Sequence, residues 1–116
     1  MLTGTKKTDV ICGLGGDDVI KGKGAGDILR GGQGNDRLVG GDGVDVLDGE
    51  QGTDNLAGNA GDDKLRGSSG TDKLKGGSGR DVIDLLDGSK GNDTGDGGKG
   101  ANHCRGDARD TLTKCG

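Results

Sequence analysis

The chain contains no Phe, Tyr or Trp, and only 26% of its residues are hydrophobic. Without aromatics it lacks the large side chains that dominate ordinary cores. It also lacks any platform on which nucleic-acid bases could stack, and a net charge of −4 opposes a nucleic-acid partner further. No apolar run approaches the ~20 residues that a membrane-spanning helix needs. No secretory leader is evident after Met1, because a repeat begins almost at once. Export is therefore expected to use a trimmed segment or a signal outside this chain. His103 is the single histidine, and the nearest serine in sequence is Ser89, so no nucleophile–base pair is in view. Several GxG strings occur, but none follows a long strand and opens a helix, which excludes a dinucleotide fingerprint. No helix-flanked EF-hand loop is present either. The expectation is a protein that is not an enzyme.

Glycine and aspartate take up the space so vacated. There are 30 glycines, and Glu50 is the one acid among twenty that is not aspartate. A core built only from scattered Ile and Leu cannot offset the entropy of ordering so glycine-rich a backbone. Low hydrophobicity with acidic charge is the mark of a chain that is disordered on its own. Stabilisation from outside the sequence is expected. Cys12, Cys104 and Cys115 leave one odd thiol. A disulfide between Cys104 and Cys115 would close a short C-terminal loop, worth roughly 2–3 kcal/mol, and would imply an oxidising compartment. The alternative is three unrelated thiols.

Nine aspartates stand nine residues apart: Asp9, Asp18, Asp27, Asp36, Asp45, Asp54, Asp63, Asp72 and Asp81. The units align without gaps from Gly4 to Asp84, beginning GTKKTDVIC and ending GGSGRDVID. Glycine holds the first place of every unit and the fourth place of all but two, where Lys7 and Ala25 stand. Aspartate holds the sixth place throughout. The eighth is always Ile or Leu: Ile11, Ile20, Leu29, Leu38, Leu47, Leu56, Leu65, Leu74 and Ile83. The pattern resembles the calcium-binding nonapeptide of the RTX (hemolysin-type) repeat family, GGxGxDxUx with U a large apolar residue. Units starting at Gly31, Gly40 and Gly76 match that signature at every defined place.

The residues explain the pattern in physical terms. Glycine permits positive φ and close backbone approach in a tight turn. Places seven to nine would form a short strand whose middle residue points inward. One nonapeptide is then half a coil, and two make a coil of eighteen residues. The expected fold is all-β: a parallel β-roll, that is, a right-handed β-solenoid of two short parallel sheets. Ile11, Leu29, Leu47, Leu65 and Ile83 would form one internal column, and Ile20, Leu38, Leu56 and Leu74 the other. Residues 4–84 would be the regular roll. Residues 85–116 would be degenerate repeats and a C-terminal cap within the same domain.

Turns on one edge belong to repeats n and n+2. The aspartates therefore pair eighteen residues apart, from Asp9 with Asp27 to Asp63 with Asp81, giving up to seven sites. Those using the Lys7 and Ala25 units are expected to be the weakest. Stacked carboxylates repel unless a cation lies between them. Main-chain carbonyls of the glycine loops, taken as Gly31, Gly34, Gly40, Gly43, Gly49, Gly52, Gly58 and Gly61, would complete an all-oxygen shell. Such a shell suits Ca²⁺, with six to eight oxygens and flexible geometry, better than the small octahedron of Mg²⁺. Zinc would want His or Cys, and the loops offer neither. The bland alternative is that Asp merely favours turns, but turn propensity alone does not demand Asp over Asn nine times running.

Toward the C-terminus, Leu85, Leu86 and Asp87 interrupt the phase. The pattern resumes loosely as GSKGNDTGD, GGKGANHCR and a shortened GDARDTL. Gly95 and Cys104 stand at core places and Asn102 at an acid place, so full calcium sites at Asp93 and Asp110 are doubtful. Leu112 and the disulfide are expected to close the core, since solenoid ends need capping. The sequon Asn92-Asp93-Thr94 carries little weight in a chain of this resemblance.

The resemblance implies a secreted, extracellular bacterial module in which Ca²⁺ binding drives folding and which serves a structural or adhesive role. Three alternatives stand beside it. The chain could be the non-catalytic remnant of a larger secreted hydrolase or toxin, or an extracellular calcium buffer. It could also be an ice-binding solenoid, although that role needs flat ranks of Thr or Asn, and place three here runs from Lys6 through Gln33 and Asp42 to Ser78. On the outer faces, place seven of one sheet carries Val10, Ile28, Val46, Lys64 and Val82. Place nine carries Cys12 and then Arg30, Asp48, Arg66 and Asp84, which alternate in sign and favour register. The other sheet is basic and polar outside, with Lys21, Arg37, Lys73 and Lys75. The Val10, Ile28, Val46 and Val82 stripe is a candidate docking or self-association face, the plain alternative being strand propensity. If it drives self-association, sedimentation of the protein rises in mass with concentration and Val46→Lys abolishes the rise. Unchanged mass for both proteins removes the idea.

Overall fold

The computed structural model describes residues 1–87 and 93–116; Ser89 and Asn92, the first residue of the sequon, lie outside the described residues. Every regular element among them is a β-strand. The first three are β1 (Leu2–Thr3), β2 (Val10–Cys12) and β3 (Val19–Lys23). Six strands of six residues follow: β4 (Ile28–Gln33), β5 (Arg37–Asp42), β6 (Val46–Gln51), β7 (Asn55–Ala60), β8 (Lys64–Ser69) and β9 (Lys73–Ser78). The last four are β10 (Val82–Asp84), β11 (Thr94–Asp96), β12 (His103–Arg105) and β13 (Thr111–Thr113).

Successive strands fall alternately into two parallel sheets, one ordered β1-β3-β5-β7-β9-β11-β13 and the other β2-β4-β6-β8-β10-β12. Register is that of an eighteen-residue coil: Leu29 pairs with Leu47, and Leu47 with Leu65. The chain is thus a parallel β-roll, a thin slab of 37 × 32 × 14 Å. Leu2 pairs with Ile20, so a half-coil precedes the first recognisable repeat.

The central strands are twice as long as places seven to nine. The inward–outward alternation continues past place nine, so the place-one glycine also points inward, as in the burial of Leu29, exposure of Arg30 and burial of Gly31. The two expected glycine roles fall at different places. Place-one glycines have ordinary φ, and what requires glycine there is proximity. A Cβ on Gly22, for example, would collide with Asp27 Oδ2 and with the Gly40 carbonyl of the next coil. The left-handed positions are places two and four. Place four carries it in Gly34, Gly43, Gly52 and Gly61, and Ala25 adopts it too, at φ +67°. At place two it is borne by Leu14, Lys23, Glu50, Asn59 and Ser68 in spite of the Cβ penalty.

The core is two columns of one side chain per half-coil. Ile20, Leu29, Leu38, Leu47, Leu56, Leu65, Leu74 and Ile83 are fully buried, with Ile11 and Cys104 packed at the ends. Leu85 joins them at 0% exposure. In the sequence it falls in the three residues that interrupt the phase, and its core role shows only in the packing. Gly95 holds a core place with no side chain, and its would-be Cβ points at Leu85, Leu112 and Ile83. The extra residues after Asp84 let Leu85 fold inward and fill that gap. Cys104 and Cys115 are bonded, with Cα atoms 5.6 Å apart, and Cys12 is free and exposed. Outside, Val10, Ile28, Val46 and Val82 lie in one exposed row interrupted by Lys64. In the charged ladder beside it, the Arg105 guanidinium meets Asp84 Oδ2 at 2.8 Å.

Leu85→Ala should destabilise the folded protein by about 2–4 kcal/mol, as for other fully buried leucines, read from denaturant unfolding under matched conditions in which both proteins are folded. A change near zero would mean that Leu85 is not part of the core.

Candidate metal centre

Each place-six aspartate is held by its neighbour one coil away. The Asp9 N–H donates to Asp27 Oδ1 at 2.8 Å, and Asp27 in turn donates to Asp45 Oδ1 at 2.8 Å. The series continues from Asp45 to Asp63 (2.8 Å) and from Asp63 to Asp81 (2.9 Å). On the opposite edge it runs from Asp18 to Asp36 (2.7 Å), Asp36 to Asp54 (2.7 Å) and Asp54 to Asp72 (2.8 Å). The carboxylates thus do stack eighteen residues apart, but through a main-chain donor that the sequence pattern did not suggest. The ladder also crosses the three-residue insertion, with Asp72 donating to Asp93 Oδ1 at 2.6 Å.

The second carboxylate oxygen has no such partner. Oδ2 of Asp18, Asp27, Asp36, Asp45, Asp54, Asp63, Asp72, Asp81 and Asp93 is buried without a hydrogen bond. Asp93, doubtful from its degenerate repeat, has the same pair of oxygens as the regular units, Oδ1 accepting a main-chain N–H and Oδ2 orphaned. The surroundings make the vacancy of partners costly. For Asp18, Asp27, Asp36, Asp45, Asp63 and Asp81, Oδ2 borders the notch over its own place-one glycine, and the same notch is bordered by the place-one carbonyl of the next coil. Examples are Gly40 O over Gly22, Gly49 O over Gly31 and Gly58 O over Gly40. Two acceptors, one of them ionisable, meet over the glycine with no donor from the protein. A buried acceptor left unpaired costs roughly 1–3 kcal/mol, more when charged. The place-four carbonyls of Gly34, Gly43, Gly52 and Gly61 stack along the outer turn, since a Cβ on Gly52 would strike Gly34 O and one on Gly61 would strike Gly43 O.

Burial raises the carboxyl pKa along the ladder. For Asp72 the value is pushed up to about 7, with the Asp54 N–H pulling it down and the Asp54 and Asp93 charges pushing it up. Asp54 and Asp63 are pushed by burial to about 6, again against the N–H that each accepts. Burial is likewise the leading cause of the upward shifts at Asp36, Asp45, Asp81 and Asp93.

Among the described residues no three Asp, Glu, His or Cys side chains converge as a ready metal cluster. A cation here would be held by the place-six carboxylates with main-chain oxygens making up the shell. The donor set fits that description: orphaned carboxylate oxygens beside carbonyls, in cradles that any Cβ would fill.

The acid shifts fix a pH dependence for the metal-free chain. Folded Asp54, Asp63 and Asp72 keep their protons to about 6, 6 and 7, whereas an unfolded aspartate releases its own near 3.8. The folded state therefore binds more protons between these values. Its stability from these groups is full below about pH 4 and is lost as pH rises through 6–7. Chelator-treated protein should gain β-sheet circular dichroism as pH falls from 7.5 toward 5. Loss of structure over that window would contradict the burial of these oxygens.

A profile of the RTX calcium-binding nonapeptide repeat matches the sequence in four copies, over residues 1–25, 22–56, 48–83 and 83–104. No curated protein matches the chain. With repeat profile, coil length and stacked aspartates in agreement over nearly the whole length, the chain belongs to the RTX calcium-binding nonapeptide repeat family.

Proposed function

We propose that this chain binds Ca²⁺ along both edges of the roll and folds when it does so, as a non-catalytic module of a secreted protein. One observation carries the reading: among the described residues nine aspartate Oδ2 atoms are buried without a hydrogen bond, and beside Asp18, Asp27, Asp36, Asp45, Asp63 and Asp81 a main-chain carbonyl borders the same notch. Asp18, Asp27, Asp36, Asp45, Asp54, Asp63, Asp72, Asp81 and Asp93 would supply the carboxylates. Asp9 belongs to the same ladder, but its Oδ2 already accepts the Thr5 N–H at 2.6 Å. Main-chain oxygens of Gly31, Gly34, Gly40, Gly43, Gly49, Gly52, Gly58 and Gly61 would contribute to the shells between them. The bound ion supplies positive charge where acceptors otherwise repel.

An all-oxygen set mixing carboxylates with main-chain carbonyls favours Ca²⁺ over Mg²⁺, which demands a tighter octahedron and gives up water reluctantly. Extracellular calcium modules bind with dissociation constants of about 10⁻⁴–10⁻³ M, a range in which the chain would be unfolded where calcium is scarce and folded where it is plentiful. The disulfide between Cys104 and Cys115 supports an oxidising destination. The thin core supports dependence on the ion, since binding free energy then becomes folding free energy.

At pH 7.5 in chelator the far-ultraviolet circular dichroism should be that of a disordered chain, and Ca²⁺ should restore a β-sheet spectrum that equimolar Mg²⁺ does not. A chain fully folded in chelator at that pH would overturn the coupling of ion to fold.

A further inference from the structure

The acid ladder ends differently from the way it runs. Asp81 donates its N–H not to another aspartate but to Oδ1 of Asn102, at 2.9 Å. Asn102 is buried, at 4% exposure, in the place-six position of its unit. The notch over Gly97 is bordered by Asn102 Nδ2 and the Lys114 carbonyl, as the notch over Gly22 is bordered by Asp27 Oδ2 and the Gly40 carbonyl. Here the two atoms attract. Asn102 Nδ2 donates to Lys114 O at 3.2 Å and to Gly98 O at 3.3 Å. The amide orientation follows from the network, because the opposite flip would turn its oxygen toward two carbonyls and its NH₂ toward the Asp81 N–H.

Two of the other three ladder termini, Asp9 and Asp110, are closed by protein donors as well. Asp9 Oδ2 takes the Thr5 N–H and hydroxyl. Asp110 accepts the Asp93 N–H on Oδ1 at 3.2 Å and the Asp107 N–H on Oδ2. Asp18, the first member of the other ladder, has no such closure: its Oδ2 is orphaned like those of the inner aspartates.

We propose that the Asn102 side-chain amide takes the place of a cation, so that the coil from Gly97 to Cys115 closes without metal while the coils before it require metal. The amide is nearly isosteric with a carboxylate. It keeps the acceptor that the Asp81 N–H needs and replaces the anionic oxygen with a donor for the carbonyls that face it. Place six thus sets, unit by unit, whether the notch is filled by an ion or by the chain itself. The disulfide lies in this same coil, as does the short turn from Gly106 to Asp110, and both hold it by means that do not involve an ion.

The inference rests on the reading of the place-six aspartates as metal ligands, and the two are separable by experiment. Calcium stoichiometry is measured by titration calorimetry on the wild-type chain, Asn102→Asp and Asp81→Asn. Hydrogen exchange of residues 97–116 is followed as free calcium is lowered. Asn102→Asp should bind one more ion than wild type and lose protection of residues 97–116 at a higher calcium concentration. Asp81→Asn, the reverse exchange within the same ladder, should bind one ion fewer. Wild-type stoichiometry in both variants, with unchanged protection of the C-terminal coil, overturns the proposal even if the wild type binds calcium as expected. If the wild type binds no calcium, the proposed function fails. Exchange of residues 97–116 at pH 7.5 then decides the amide closure alone: about tenfold or faster exchange in Asn102→Asp upholds it, and equal exchange refutes it.

Discussion

Over the place-one glycines of the central coils, such as Gly22, Gly31 and Gly40, an orphaned carboxylate oxygen and a carbonyl oxygen border one notch, and neither brings a hydrogen. Most of the molecule follows from that encounter. The glycine is needed because a Cβ would occupy the space between the two oxygens. Aspartate is needed because its other oxygen must reach the N–H of the preceding coil while this one stays in the notch. Three kinds of partner relieve the repulsion: a proton, a metal ion, or an N–H or O–H donor such as a side-chain amide. The raised pKa values along the ladder reflect the first, the proposed Ca²⁺ would be the second, and Asn102 supplies the third.

The core is subordinate to this arrangement. Each half-coil contributes one Ile or Leu, and Leu85 stands in where Gly95 contributes nothing. One aliphatic side chain per half-coil is a small hydrophobic return for ordering nine glycine-rich backbone units. Hydrogen bonds between coils narrow the gap without removing the unfavourable contact at the turn. Under the proposed function the ion and the hydrophobic column would act on the same unit, and each coil depends on its immediate neighbours alone, as in other solenoids.

The coil length, the pairing eighteen residues apart and the two core columns were legible in the sequence, because they follow from strict periodicity at places six and eight. Three features were not, and each has a local cause. The division of labour among glycines was hidden: places one and four look alike as letters, yet only place four is left-handed, and place two accepts Glu50 or Asn59 at positive φ. Leu85 read as an interruption, since its value lies in a gap left by a residue ten positions later. The closures by Thr5, Asp107 and Asn102 depend on main-chain donors and acceptors that a pattern of side chains does not display. Within the candidate site, the stacking of Asp9 to Asp81 was evident, but the state of the individual oxygens was not.

The slab is only 14 Å thick, and that dimension governs how such a molecule scales. A globular domain improves as it grows, because volume outpaces surface and a larger fraction of the chain is hidden. A roll gains no such advantage: each added coil brings the same strip of interior and the same strip of surface as the last. Stability accumulates in proportion to length and never accelerates. A single faulty coil is accordingly not diluted by a large interior, but divides the roll into two shorter ones.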